Sequence, residues 1–444
     1  MEFSSASATA ADGVMSAAGQ SEKKIINALT ITGIAFGLWL GRLDFMLANI
    51  PGASFKNLTI LLAAFALLGC RAAFKERIHG AFWLLFFLSS LCAVVKIVHF
   101  AMENEVIYSS VQIIINSFLG LWLVYLLLRL HFDRQKLAHL ISVIVVVFAA
   151  GLVYWTLRSP DFGFDVAKQR LYPCGIDPNE YCMYACFAIF SGFWAYFEKK
   201  SMVLLMALLL LSAAAVLTVS RSGYLGLVSA LVLARYFSVR SHRRGGSGII
   251  GFLLIGAFVV GSAVLVMQQM DYSEAFNRLD FEGDEAQGEI RRYSSGRFDI
   301  WQSYWESIGY SPWLGYLSPE HITTTLIPYE ISSGKLYMPH NIVLGYLVFY
   351  GVPVGVFACT VIIAIGLMLF GVSRKRGGEN ACLVASGYVG FVMTSLALSH
   401  DISVLLALFV LMLGKFQQYA DEAAAEAGQP EADHGASAVP PLLP

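Results

Sequence analysis

Apolar residues run in long blocks along most of this chain, with short polar turns between them. Most blocks approach the ~20 residues that a helix needs to cross a ~30 Å hydrocarbon core. The pattern predicts twelve such helices, at about 25–41, 57–73, 80–99, 106–129, 137–157, 179–197, 201–219, 222–239, 248–267, 341–371, 380–398 and 401–417. Apolar side chains occupy all sides of these segments, as a lipid-embedded helical bundle requires. The expected fold is an all-α polytopic membrane protein with about twelve transmembrane helices. Residues 1–24 are Ala/Ser/Gly-rich without the apolar core of a signal peptide, and 418–444 are rich in Ala, Glu and Pro. Both read as disordered cytoplasmic tails. Helices one to nine fill 25–267, and the last three fill 341–417.

Composition agrees. Of 444 residues, 57% are hydrophobic and 14% charged, with a mean hydropathy of +0.64. Soluble domains average about 25% charged residues, so a chain this poor in charge could not cover an aqueous surface. Membrane lipids are its expected surroundings. The net charge of −1 leaves no basic excess for nucleic acid. Seven cysteines form no CxxC pair or Cys/His cluster, so neither a metal nor another cofactor is expected. Only Cys174 and Cys182 lie near an outer loop, where a bridge is conceivable.

Loop charge sets the orientation. Lys23, Lys24, Arg71, Lys75, Arg77, Arg129, Arg134, Lys136, Lys199, Lys200, Arg235, Arg240, Arg243, Arg244, Arg374, Lys375, Arg376 and Lys415 fall on one side, more than half of the thirty Lys and Arg. That side is predicted to face the cytoplasm, with both termini inside. One outer connection, 268–340, is about seventy residues long, and loops beyond about 15 residues are usually functional or disordered. It opens acidic, through Asp271 to Glu289, and then turns aromatic, through Trp301, Trp305 and Trp313. The second half reads as a partly helical cap against the membrane, and the acidic run as a solvated face without calcium-loop spacing.

Four outward arginines, Arg158, Arg170, Arg221 and Arg297, run against the charge bias. Arg221 sits in Ser220-Arg221-Ser222-Gly223, a short turn between two apolar helices. A guanidinium held there is either a snorkelling anchor or paired with an anion. Its planar fork suits phosphate. Arg297 opens Gly296-Arg297-Phe298-Asp299-Ile300-Trp301, with Trp301 one helical turn later on the same face. Arg170 precedes Asp177-Pro178-Asn179-Glu180 at the next helix start. Either arginine could equally be a surface residue. Pro339 and the capping residue Asn341 place His340 at a helix mouth, where the positive helix end favours the neutral imidazole of a general base. His400-Asp401 marks another outer turn and reads as structural.

Together, Ser220–Gly223, Gly296–Trp301 with Pro312 and Gly315, and Pro339-His340-Asn341 with Leu344, Leu347, Gly351 and Gly355 resemble the O-antigen ligase family. That family's relatives include O-antigen polymerases and bacterial protein O-oligosaccharyltransferases. Asp177-Pro178-Asn179 resembles a further family element. The resemblance implies a multi-pass glycosyltransferase of the bacterial inner membrane with its active site facing the periplasm and 268–340 as a periplasmic loop or cap. It would move a glycan from undecaprenyl diphosphate to the lipid A–core oligosaccharide during lipopolysaccharide assembly. His340 would be the base, while Arg221, Arg297 and Arg170 hold the donor diphosphate, with Asn341 and Trp301 among the substrate-binding residues. A diphosphate leaves readily, so one base and well-aimed cations suffice. No paired carboxylates indicate a covalent glycosyl-enzyme, so an inverting, metal-independent transfer is expected. The oligomeric state and the sugars stay open.

Other readings remain at this level. A polymerase would pass the glycan to another lipid-diphosphate glycan, and a protein oligosaccharyltransferase would pass it to Ser or Thr. A transporter of lipid-linked anions would suit twelve helices, although no repeat relates the two halves.

Overall fold

The computed structural model describes residues 5–43, 55–104, 108–165, 170–241, 297–317, 341–375, 381–396 and 403–428. Among these, regular structure is almost wholly helical: α1 (Ser5–Leu40), α2 (Phe55–Leu68), α3 (Gly80–Glu103), α4 (Tyr108–Arg129), α5 (Arg134–Arg158), α6 (Pro178–Lys199), α7 (Met202–Leu217), α8 (Arg221–Ser241), α9 (Arg297–Ile308), α10 (Ile342–Ser373), α11 (Ala381–Ser395) and α12 (Ser403–Gly428). A two-residue antiparallel ribbon pairs Phe164–Asp165 with Arg170–Leu171. Helices α3, α5, α10 and α12 are each long and apolar enough to cross a membrane, and α2, α4, α7 and α11 are shorter apolar helices. The protein is an all-α multi-pass membrane protein. The apolar blocks predicted from sequence coincide with helices, except 248–267, which lies outside the described residues, as does the acidic run 271–289.

Both ends differ from expectation. Helix α1 begins at Ser5 and α12 continues to Gly428, where disordered tails were expected. Alanine dominates both stretches, with Glu added in the second, and these are strong helix formers.

Helix α6 sits at the centre, with nearly every residue from Pro178 to Ala195 buried. It packs on α5, α7, α8 and α11. Edge-to-face contacts between Phe187 and Phe409, and between Trp194 and Phe416, join it to α12. Gly33 and Gly37 on α1 and Gly41 just past its end recur every fourth residue, and a Cβ at the first two would lie within 2.8 Å of Val143 and Val147 on α5. Small residues let membrane helices approach closely, where dispersion rather than water exclusion holds them. Large side chains on the outer faces of α3, α7 and α8, such as Phe87, Val203, Met206 and Val232, stay exposed, as lipid-facing positions should.

The bundle has two chemically distinct ends. At one, His131 bonds Glu76 at 2.6 Å and Lys136 reaches Glu22 and Asp133. The buried Lys415 there donates to Leu130 O and Gln418. This is the end the loop charges assign to the cytoplasm. At the other lie Arg42, Asp177, Glu180, Ser220, α9 and the start of α10. Cys174 and Cys182 are free thiols, so the conceivable bridge does not form. Cys182 instead lies 3.3 Å from the Thr218 hydroxyl.

Helix α10 is broken at Gly351 (φ 80°, ψ 166°), two residues before Pro353. Proline cannot supply the next helical N–H, and glycine tolerates the positive φ. The segment 312–316 closes the gap. Tyr316 N donates to Val348 O at 2.9 Å, and Val352 N donates to Pro312 O at 2.7 Å. Gly315 (φ 68°) faces the break so closely that a Cβ on it would meet Val348 O at 2.3 Å.

Candidate active site

The start of α6 builds the first wall. Asp177 caps this helix by accepting from Asn179 N at 2.8 Å, with Pro178 at the first helical position, both favoured choices. The capping geometry buries Asn179 and Glu180. The Asn179 Oδ1 accepts from the Ser220 hydroxyl at 2.5 Å and from the Ser222 hydroxyl at 2.8 Å. One carboxamide oxygen therefore holds both residues that flank Arg221.

The turn before Arg221 is strained and well tied. Val219 takes φ 47°, a left-handed conformation rare for a β-branched residue. Thr218 Oγ1 donates to Ala215 O at 2.7 Å, and the Tyr224 hydroxyl donates to Val216 O at 2.5 Å. Ser220 then caps α8, its hydroxyl accepting from Gly223 N at 3.0 Å. Arg221 is thus the first residue of α8, at the helix end whose free N–H groups attract anions. Its side chain lies outside the described residues.

The two carboxylates at the start of α6 are engaged. Asp177 serves the cap. The buried Glu180 forms an ion pair with Arg42 and accepts from the Tyr184 hydroxyl at 2.7 Å. The sequence offered no local sign of the Arg42–Glu180 pair, since the partners belong to α6 and the segment after α1. Burial pushes the Cys174 thiol beneath this rim up to about 12, although Arg42 nearby acts in the opposite direction.

Helix α9 and the first half of α10 form the second wall. Tyr304 is fully buried against Leu344 and Val348, with Trp301, Ile308, Tyr316 and Phe349 around them. Asn341 caps α10, accepting from Val343 N at 3.0 Å and Leu344 N at 3.1 Å, as its position before the helix predicted. Beside this second wall lies an open pocket of about 560 Å³ lined by Trp301, Gln302, Trp305, Asn341, Val343, Leu344, Leu347 and Leu396. Leu396 follows α11, where Thr394 Oγ1 approaches Ser222 O at 3.5 Å. This contact brings the Ser220–Gly223 turn to the pocket's neighbourhood.

Of the predicted residues, Trp301 and Asn341 therefore line one pocket, and Arg221 and Arg297 are the first residues of α8 and α9. The Arg297 side chain, His340 and His400-Asp401 lie outside the described residues. Arg170 does not join this pocket's lining. It stacks over the Tyr172 ring at 4.7 Å and donates to its hydroxyl, within the ribbon beside α7.

Among the described residues, Glu76, His131 and Glu422 bring possible metal-ligating atoms within 4.8 Å of one another, at the opposite end of the bundle. His131 Nδ1 is already engaged by Glu76 and Gln418. The Lys415 ammonium lies within electrostatic reach of both carboxylates, which weakens their hold on a cation.

The O-antigen ligase family model matches residues 206–359. The chain carries an O-antigen ligase family domain. The match spans about a third of the chain and contains all three motif stretches, from Ser220-Arg221 through Arg297-Trp301 to His340-Asn341. No curated protein matches the chain. The O-antigen ligase segment begins within α7 and ends within α10, so α6, with Asn179 and Glu180, buttresses it from outside. The match indicates an enzyme of the O-antigen ligase and polymerase type, carried here on a helical membrane-protein fold.

Proposed function

We propose that the protein transfers a glycan from undecaprenyl diphosphate to lipid A–core oligosaccharide. The site would face the periplasm of the inner membrane, with both termini in the cytoplasm. His340 takes the proton from the acceptor hydroxyl as that oxygen attacks the anomeric carbon. The bond to the diphosphate breaks on the opposite face, which inverts the anomeric configuration. Arg221 and Arg297 stabilise the charge that develops on the leaving diphosphate. No metal takes part.

The observation that supports this reading is that Trp301 and Asn341, from two motifs distant in sequence, line one pocket. Leu396, which also lines that pocket, follows Thr394 by two residues, and the Thr394 hydroxyl approaches Ser222 O in the turn bearing Arg221. The largely apolar lining suits a lipid-linked substrate, and the helix starts beside it suit an anionic head. A broken membrane helix would also suit a transporter. Here the groups freed at Val348 and Val352 are both taken by backbone partners, so the break offers those groups to no translocated ion.

The test is reconstitution of purified protein in nanodiscs with an undecaprenyl-diphosphate glycan and lipid A–core. A glycan-bearing lipid A product, lost in His340→Ala and Arg221→Ala and insensitive to chelator, is the expected result. A ladder on carrier lipid would identify a polymerase instead, and a glycoprotein would identify a protein acceptor. Loss on chelation, restored by divalent ion, would refute the metal-free step.

A further inference from the structure

We propose that Lys96 and His99 of α3 are positioning residues, which latch the hairpin after α9 and the first half of α10 into the geometry that transfer requires. The proposal rests on the functional reading above. Lys96 is 6% exposed. Its ammonium donates to Leu317 O at 2.7 Å and approaches Tyr316 O at 3.4 Å. The rings of Phe349 and Tyr350 on α10 lie 5.5 and 5.0 Å away. Among the described residues it has no carboxylate at ion-pair distance. His99, one turn further along α3 and 4% exposed, places Nε2 2.9 Å from Leu314 O.

A membrane-buried cation with no counter-ion is costly, and such residues usually serve function. What this one holds is specific. Three carbonyls of one short segment, at residues 314, 316 and 317, face one side of α3, while the same segment bonds across the α10 break through Tyr316 N and Pro312 O. Upstream of it stands α9 with Trp301 and Trp305. Before the break stands the half-helix 342–350, with Asn341 at its mouth, the residue that follows His340 in sequence. Packing of Tyr304 on Leu344 and Val348 ties these two pieces to each other. The α3 contacts tie the pair to the bundle. Without them, Gly351 is a ready pivot, since hinges are a few residues that absorb a large backbone change.

The test uses the full-length protein in nanodiscs. In Lys96→Met the stem is kept and the donors are lost. Expected is a fall in kcat of about a hundredfold, the effect of roughly 1 Å of misplacement, with little change in donor KM. The thermal midpoint should stay at or above wild type, because a buried charge has been removed. Lys96→Arg should recover most of the rate. His99→Leu provides a second variant should Lys96→Met fail to insert. Spin labels at the exposed positions Met102 and Glu306 supply a readout independent of substrate: one narrow distance in wild type, broadened or shifted in Lys96→Met. An unchanged distance distribution overturns the latch, whether or not transfer is detected. A rate loss that merely follows a lowered midpoint, without rescue by Arg, overturns it too. A folded wild type that shows the narrow distance yet transfers nothing sinks the functional reading and leaves the latch intact.

Discussion

Gly226 of α8 and Thr394 of α11 lie so close that a Cβ on the glycine would sit 2.2 Å from the threonine hydroxyl and 2.6 Å from Gly390 O. The second neighbour is backbone, so the contact cannot relax by a side-chain rotation. Gly226→Ala should therefore destabilise the protein by about 1–3 kcal/mol, the usual range for overpacking. It should also slow transfer, because α8 carries Arg221 just over one turn earlier. Thermal unfolding in detergent, run beside a transfer assay, checks both; a wild-type midpoint would show that the two helices separate at no cost.

Asn179 holds Ser220 and Ser222 with a single oxygen, and exchange to aspartate separates its two effects. Asn179→Asp retains the acceptors and suits the positive start of α6, so the fold should survive. The added carboxylate should compete for Arg221 and raise donor KM roughly tenfold, about 1.4 kcal/mol of binding. Asn179→Leu instead loses two buried hydrogen bonds, worth about 1 kcal/mol each, and should lower stability. Wild-type donor KM in the aspartate variant would separate Asn179 from diphosphate binding.

Asp133 caps α5 by accepting from Lys136 N at 2.9 Å, while Lys136 Nζ donates to its other oxygen at 2.7 Å. Partial burial works to raise its pKa, but the side-chain and backbone bonds from Lys136 outweigh it and hold the carboxyl below its ordinary value. A depressed folded pKa contributes stability that is present above the unfolded value and lost as pH falls through the folded one. The gap between wild type and Asp133→Ala should be about 1 kcal/mol near neutrality, as for other helix caps, and should close in acid. A gap independent of pH would contradict the charged cap.

Cys174 and Cys182 are free, and burial raises the Cys174 thiol to about 12. Maleimide should label neither in the folded protein at neutral pH, since the thiolate is the reactive species. Both should react after denaturation without reductant. A requirement for reductant would mean that they are bridged.

Much of the helical framework is legible in apolar block length, because each membrane helix must satisfy its own backbone within one continuous segment. Local chemistry is legible for the same reason. Asn341 caps α10 and Asp177 caps α6, and each capping bond reaches only a few residues. Arg170 shows the limit. Its sequence surroundings mark it as unusual, yet its described partners are the ring and hydroxyl of Tyr172, two residues away.

By itself, the sequence determined a helical membrane protein, the positions of its apolar spans and the motif stretches that carry its family character. Those properties follow from hydrophobic run length, capping chemistry and residue order. Only the tertiary structure decided that Asn179 grips both serines around Arg221, that Arg42 answers Glu180, and that Lys96 and His99 reach the segment closing the α10 break. Each of those contacts joins residues far apart along the chain. A buried polar group needs some partner, but packing alone selects which one.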